Sequence, residues 1–150
     1  MYKRQEKKLT IEEKLLVDKP ESLVRLKVHV DERGKYAKTF IEPLKYISSL
    51  HVTLVKAIPF TGRQHQIRTH LFHVEHSIVG DTLYGVDEKF ASDYLERKID
   101  EEERQRITGA KRLLLHANKI SFEYLGKGYT IESEKEIEKE FLEELCDDTI

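Results

Sequence analysis

The sequence predicts one mixed α/β domain in which a largely antiparallel sheet is flanked by helices. Its 150 residues are the usual length of a single domain. Residues 23–30 alternate apolar and polar side chains, as strands with one buried face do, and residues 37–44 and 49–58 have the same character. Residues 66–74 instead carry apolar side chains at helical spacing. We therefore expect a three-stranded meander followed by a helix.

The predicted helix has a defined core face and a defined start. Ile67, His70, Leu71 and Val74 stand at positions i, i+3, i+4 and i+7, which share one side of an α-helix. Thr61, or the turn around it, is expected to cap the helix, where free backbone N–H groups add positive potential. The start of this helix is therefore a candidate anion site.

The second half of the chain predicts helices around one hairpin. Residues 87–110 are charge-dense with few apolar anchors, which predicts an inserted segment of one or two surface helices. Residues 119–125 and 129–132 flank a Gly-Lys-Gly turn and predict a hairpin. Residues 133–136 have the S-x-x-E spacing of a capping box and precede an amphipathic helix. The helix face expected to pack on the sheet carries Ile137, Phe141 and Leu145.

Composition excludes several classes of protein. Charged residues make up 36% of the chain and hydrophobic residues 39%, which is too apolar for a disordered chain. There is no run of about 18 apolar residues that could span a membrane, and no apolar segment of a secretory signal follows the N-terminal basic residues. The single cysteine, Cys146, has no intrachain disulfide partner, which fits a reducing compartment. We therefore expect a cytoplasmic protein without a membrane partner.

The net charge of −2 hides an asymmetry along the chain. Residues 1–72 hold 15 basic against 8 acidic side chains, and residues 73–150 hold 11 against 20. A basic half indicates a polyanionic partner, although a random scatter of charges explains the asymmetry equally well until a motif decides.

Residues 61–71, TGRQHQIRTHL, carry the strongest chemical signal. A glycine turn leads into a helix that bears two arginines together with amide and imidazole donors, and such a start can bind a phosphate or a carboxylate. Arg63 and Arg68 are five residues apart, so they need not share a helical face and can serve different partners. The planar fork of arginine suits a buried carboxylate.

Four ordered segments together resemble a known family. After GKYAKT at 34–39 come the TGRQHQIRTHL segment, IVGDTLYG at 78–85 and LLLHA at 113–117. This order is similar to that of the RluA-type RNA pseudouridine synthases, and it covers most of residues 30–130. The resemblance implies the mixed α/β fold of that catalytic domain, RNA as partner, and isomerisation of uridine to pseudouridine without a cofactor.

The resemblance also implies roles for individual residues. In the family an aspartate of an RLD segment attacks the target nucleoside, a tyrosine packs on the base, and the arginine of the HQIR segment pairs with the aspartate. Arg68 matches that arginine and would hold the aspartate ionised and aimed. The target base must leave its stack to enter such a pocket.

The chain departs from the family pattern at the nucleophile. Residues 1–33 contain no RLD segment, since Asp18 and Asp31 are not preceded by arginine and leucine. Tyr2 has roughly the order of the family tyrosine but too little matching sequence around it. We therefore expect residues 1–150 to be the C-terminal part of the catalytic domain, inactive alone in converting uridine in ribosomal or transfer RNA. The alternative is a non-catalytic RNA-binding module of the same fold, and coding DNA upstream of Met1 would separate the two.

An incomplete domain has a physical consequence. A sheet without its N-terminal part exposes a strand edge and apolar surface. We expect a missing N-terminal segment to cover this surface, or the chain to self-associate through it.

RNA contacts are expected in the basic half of the chain. The candidates are Arg63, His65, Gln66, Lys35 and Lys38. An exposed lysine is more often only a solvated charge, and for His65 a structural role is equally plausible.

Other polar residues have simpler interpretations. His65, His70, His73 and His76 lie close in sequence, but no cysteine or clear carboxylate ligand accompanies them, so no metal site is expected. We expect Asp81 to stabilise a turn or cap a helix rather than to attack RNA. Tyr84 is expected to pack near the site, and a contact with the base is the alternative.

Overall fold

A computed structural model describes residues 7–145 of the chain and confirms the mixed α/β fold with an antiparallel sheet. Tyr2 and Cys146 lie outside the described residues. The four-stranded sheet has the order β2-β1-β3-β4, with every neighbouring pair antiparallel. Its strands are β1 (Leu9–Leu16), β2 (His29–Val30), β3 (Lys35–Ile47) and β4 (Val52–Pro59).

Helices and a separate hairpin follow the sheet. The first helix, α1, spans Gln66–His73, and the predicted insertion contains two helices, α2 (Glu88–Leu95) and α3 (Glu101–Thr108). The predicted hairpin is confirmed as β5 (Lys119–Tyr124) and β6 (Lys127–Glu132). The last helix, α4, spans Ile137–Glu144.

The predicted strand over residues 23–30 is wrong for most of its length. Only His29–Val30 pairs with another strand, and its partner is β1 rather than β3. Of the apolar residues in the alternation, Val24 and Val28 are buried and Leu26 is 53% exposed. They belong to a segment that contains a turn, in which the N–H of Lys27 bonds to the carbonyl of Val24. β1, which the alternation did not reveal, occupies the place beside β3.

One face of the sheet packs against α1. Ile11 of β1 and Ile41 of β3 form a core cluster with Leu71 of α1 and with Ile78. Ile67 and Val74 pack against this cluster and His70 is fully buried, so the predicted core face of the helix is confirmed.

The N-terminus of α1 differs from its prediction. The residue that precedes the helix is His65, which adopts a left-handed φ of 52° and makes no side-chain cap. The Thr61 hydroxyl instead donates a hydrogen bond to the Gln66 side chain. Thr61 therefore fixes the loop before the helix and does not cap it.

The insertion is more integrated than its charge predicts. Asp87 and Asp100 cap α2 and α3 through backbone N–H groups, as expected for aspartate at these positions. Ala91 of α2 is fully buried and packs with Leu83 and Tyr84. The segment is therefore partly core, rather than only a solvated surface.

The C-terminal helix also differs in detail. Ser133 does not cap α4, because the residue before the helix is Glu136 and no side chain caps it. The Ser133 hydroxyl accepts instead from the N–H of Lys135, which closes a local turn. Of the expected packing face, Leu145 contacts a core cluster, while Phe141 lies under Arg112, 5.6 Å from the ring centre.

A close approach of two backbones fixes the segment that follows α1. Gly80 has a φ of +80° and donates its N–H to the carbonyl of Thr108 at 2.8 Å. A Cβ atom at this position would lie 1.9 Å from the carbonyl oxygen of Arg112. Only glycine fits both the backbone conformation and the space.

The hairpin stands apart from the sheet. All twelve residues of β5 and β6 are exposed, and Phe122 stacks on Tyr129 at 5.4 Å between ring centres. Across residues 7–145, no helix is long and apolar enough to span a membrane.

Candidate active site

Arg68 and Asp81 form a two-pronged ion pair at the centre of the site. Arg68 Nε donates to Asp81 Oδ2 at 2.8 Å, and Nη2 donates to Oδ1 at 2.7 Å. The Asp81 side chain is fully buried and that of Arg68 is 15% exposed. Burial lowers the pKa of Arg68, but the hydrogen bonds and charge of Asp81 outweigh burial, so the net shift is upward. Arg68 is therefore a fixed cation.

Asp81 also organises the turn that follows it. Its Oδ1 accepts the backbone N–H groups of Leu83 and Tyr84 at 2.9 and 3.0 Å. These bonds agree with the turn role expected from the sequence. Both carboxylate oxygens are committed to the protein, which leaves Asp81 poorly suited to attack RNA.

The ring of Tyr84 packs against the guanidinium of Arg68. The Tyr84 side chain is 1% exposed, and its hydroxyl accepts from the N–H of Val28 at 2.8 Å. The Arg68 guanidinium lies 5.0 Å from the ring centre, within the range of a cation–π contact. Burial raises the pKa of Tyr84, so the ring stays neutral. The structure therefore gives Tyr84 a packing position.

His65 joins the same cluster at its edge. Its Nδ1 lies 3.1 Å from the Tyr84 hydroxyl, and the two rings meet edge to face. Burial, and then the charge of Arg68, lower the pKa of His65. At neutral pH this imidazole is therefore uncharged, and an RNA contact through it would be a neutral hydrogen bond.

The side-chain amide of Gln66 forms its hydrogen bonds within the protein. Its Oε1 accepts from the Thr61 hydroxyl and the Arg63 N–H, at 2.7 and 3.0 Å. Its Nε2 donates to the Lys38 carbonyl at 3.0 Å and to the Thr39 hydroxyl at 2.9 Å. All four hydrogen-bonding positions of the amide are used, so none is left for RNA.

Arg63 and Lys35 are the most accessible of the predicted RNA contacts. Both are exposed, and Arg63 is anchored by one bond from its Nε to the Tyr36 carbonyl at 3.1 Å. The remaining guanidinium nitrogens of Arg63 have no partner among the described residues. This geometry leaves a donor edge facing solvent.

Lys38 lies on the other face of the sheet from Arg68. Side chains alternate along β3, and Thr39 faces α1, where its hydroxyl contacts His70 Nδ1 at 2.8 Å. Lys38 therefore points away from α1, where it pairs with Glu12 at 2.7 Å. The structure does not bring Lys38 and Arg68 onto one surface.

Sequence reasoning missed one charged residue, Lys27. It is 5% exposed, and its ammonium lies 4.9 Å from the ring centre of Phe72 and 5.7 Å from that of Tyr84. Its place in an apparent strand gave it an outward position, and only the loop conformation turns it inward. Within residues 7–145, no group of three or more histidine, cysteine or acidic side chains is arranged to hold a metal ion.

The chain is similar in sequence to proteins of one family. A relative from Helicobacter pylori, named an uncharacterized RNA pseudouridine synthase, is 37% identical over 130 residues, which are 82% of this chain and 42% of that protein. Ribosomal large subunit pseudouridine synthase C of Yersinia pestis is 39% identical over 113 residues, 75% of this chain and 31% of that protein. The chain thus spans less than half the length of these relatives. No family model matches the chain.

The fold has a counterpart among solved structures. Human RNA pseudouridylate synthase domain containing 1 superposes with a TM-score of 0.61 and 21% identity, over 89% of this chain and 51% of that one. This likeness concerns the fold, while the sequence identities concern descent. From its sequence relatives, the chain belongs to the RluA-type family of RNA pseudouridine synthases.

Proposed function

We propose that residues 1–150 are the C-terminal part of a synthase catalytic domain that converts uridine to pseudouridine in ribosomal or transfer RNA. In that reaction the N-glycosidic bond to N1 of the base breaks and a C-glycosidic bond to C5 forms. The hydrogen at C5 leaves as a proton and the freed N1 takes one up. The observation that carries the proposal is the mostly buried side chain of Arg68, which Asp81 orients in the first turn of α1, within the segment that resembles the family.

The role proposed for Arg68 is to position an attacking aspartate. Nε and Nη2 are occupied by Asp81, whereas Nη1 has no partner among the described residues. Nη1 can therefore take a second carboxylate, which the fixed positive charge would keep ionised. Asp81 orients the guanidinium, and the incoming aspartate would react.

The aspartates considered from the sequence are poor nucleophiles. Both oxygens of Asp31 accept from Arg33, at 2.9 and 2.8 Å, and Arg33 holds the pKa of Asp31 well below its usual range. Asp18 is exposed in a left-handed turn with a φ of 54°. We therefore propose that the attacking carboxylate lies outside this chain, and that the chain alone is inactive.

The RNA-binding surface is proposed to include Arg63 and Lys35, which are exposed, and His65 at the edge of the Arg68 cluster. Lys38 is proposed to contribute from the opposite face of the sheet, where Glu12 offsets part of its charge. Gln66 is proposed to act indirectly, by holding the loop that carries Arg63.

Release of tritium from RNA that carries C5-tritiated uridine tests the function. The purified chain at high concentration should release none above a protein-free blank, while still binding RNA. Release above the blank would contradict the assignment of the nucleophile to a segment outside residues 1–150.

A longer protein that includes these residues and any in-frame RLD segment upstream should release tritium. In it, Arg68→Lys should abolish release, because an ammonium cannot hold two carboxylates in the same planar geometry. Lys89→Gln is the matched control, since Lys89 is exposed on α2 and pairs only with a surface aspartate. Binding without release in the longer protein would favour the non-catalytic RNA-binding module.

We also propose that the chain associates with itself, or with the remainder of its domain, through exposed strand surfaces. β4 lies at one edge of the sheet, and the hairpin exposes Ile120, Phe122 and Ile131. Sedimentation should show concentration-dependent association, and a monomer at high concentration would contradict the proposal.

A further inference from the structure

Lys27 is a buried lysine whose charge has no carboxylate partner within the described residues. Only 5% of the residue is exposed, and its ammonium contacts the rings of Phe72 and Tyr84. Aromatic rings offset only part of the cost of removing an ammonium from water. The buried carboxylate of Asp81 is already committed to Arg68.

Lys27 lines a cavity of about 210 Å³ between the segment before β2 and one side of α1. The polar groups of this cavity differ in what they contact. His29 is bonded to the Ser22 hydroxyl at 3.0 Å, and His73 lies 3.4 Å from Glu13. The buried Thr69 hydroxyl lies beside the hydroxyl of Tyr84, whose pKa it lowers against the larger, opposite effect of burial. Lys27 therefore brings to the cavity a cation without a carboxylate partner among the described residues, and Thr69 adds a hydroxyl to the same lining.

The chemistry of these donors favours a phosphate. An ammonium is a compact charge with donors that rotate freely, and it does not need the planar acceptor that a guanidinium prefers. A hydroxyl donor beside it suits a second oxygen of a tetrahedral anion. Phe72 is 39% exposed beside the cavity, and proteins that bind single-stranded RNA combine such aromatic surfaces with cations that follow the backbone.

We propose that Lys27 and Thr69 bind a backbone phosphate of the RNA substrate. This inference rests on the proposed function and deepens it, because it names a contact that orders the RNA next to Arg68. Both cations approach the ring of Tyr84, at 5.7 and 5.0 Å from its centre, so the phosphate site and the arginine share one supporting side chain.

Fluorescence anisotropy with a labelled single-stranded uridine dodecamer tests the contact. The wild-type chain, Lys27→Gln and Lys89→Gln are titrated between about 50 and about 200 mM salt. Loss of one phosphate contact should flatten the slope of log affinity against log salt by about 0.7 in Lys27→Gln. Lys89→Gln removes the same charge from an exposed site, and its slope should match the wild type. Lys27→Arg should restore most of the slope.

Two outcomes overturn the proposal. The first is equal slopes for Lys27→Gln and the wild type, and the second is equal losses in Lys27→Gln and Lys89→Gln. Either would leave the proposed function intact, since tritium release in the longer protein tests that separately.

A measurement on the unaltered chain guards against misfolding of the variant. With ¹³C-labelled lysine, the εCH₂ signal of Lys27 should shift on titration with uridine 5′-monophosphate and not with uridine. Equal responses to the two probes would overturn the phosphate contact, even if Lys27→Gln bound RNA weakly.

Discussion

Arg68 and Asp81 meet through two parallel hydrogen bonds, so the arginine that the family motif assigns to an attacking aspartate already holds a different carboxylate. The same carboxylate ties down the turn at Leu83 and Tyr84. The pair thus joins α1 to the segment after it. It fixes the direction of the guanidinium before any substrate arrives.

Asp81→Asn should destabilise the chain by about 3 kcal/mol, because removing one partner leaves a mostly buried guanidinium uncompensated. Urea unfolding followed by circular dichroism measures the loss. Glu32→Gln is the control, since Glu32 is exposed and pairs with Lys14 at the surface. That change should cost less than about 1 kcal/mol. Equal costs for the two variants would refute a structural role for the Arg68 pair.

Gln66→Leu should cost about 1–3 kcal/mol, since it leaves buried donors and acceptors of the loop and of β3 unsatisfied. Gln64→Leu changes an exposed glutamine two residues earlier and should be nearly neutral. The same unfolding measurement compares them. If Gln66→Leu were neutral while RNA affinity fell, Gln66 would contact RNA directly, and its structural role would be wrong.

Gly80→Ala should cost more than about 2 kcal/mol, because the new Cβ would both enter the space of the Arg112 carbonyl and occupy a left-handed conformation. Gly62→Ala meets no atom within 4 Å and should stay within about 1 kcal/mol of the wild type. Thermal unfolding separates the two. A Gly80→Ala variant that melts with the wild type would contradict the close backbone approach.

Stability should fall as the pH drops from about 6.5 towards about 4. Burial, and then His73, lower the pKa of His70 from its ordinary 6.5 to about 4. The unfolded chain therefore binds a proton in this window that the folded chain does not, which favours unfolding by about 1.4 kcal/mol per pH unit. Above about 6.5 both states are neutral and the contribution is constant.

Urea unfolding of the wild type and His70→Gln at several pH values isolates this contribution. The variant should lose part of the slope below pH 6.5, although it also alters the bond to Thr39. An NMR titration of the His70 ring in the folded chain gives the pKa directly. A midpoint near 6.5 would exclude this source of acid sensitivity.

Hydrophobic periodicity over residues 23–30 predicted strand pairing poorly and side-chain exposure only in part, because Leu26 is 53% exposed and Lys27 is buried. The alternation over residues 23–30 correctly marked Val24 and Val28 as buried, yet an irregular segment buries them equally well. β1 escaped prediction because its inward face carries the charged Glu13 between Ile11 and Leu15, which breaks the apolar–polar alternation. Glu13 lies beside His73 of α1, a contact that the local sequence does not report. Which strand lies beside β3 depends on contacts between distant residues, and no local pattern reports those.

The site was predicted as far as its local motif extends. The motif over residues 61–71 singled out Arg68, and the structure places this residue in an ion pair with Asp81, while its catalytic role stays a prediction. The motif could not show that Gln66 faces inward, which depends on the conformation of the Thr61 loop. Lys27 belongs to no motif, and its inward direction is set by packing against Phe72.

Ala91 of α2 packs in one buried cluster with Tyr84, so the charged insertion contributes to the packing around the candidate site. The ring of Tyr84 also contacts the Arg68 guanidinium. A change in the position of α2 would therefore move Tyr84, and Tyr84 would move Arg68. We expect substitutions at exposed positions of α2 and α3 to be tolerated. Position 91 should accept only a small side chain, because Ala91 is fully buried against Tyr84. A chimera that replaces this segment with that of a relative should keep the position of Arg68 only if the residue at position 91 stays small.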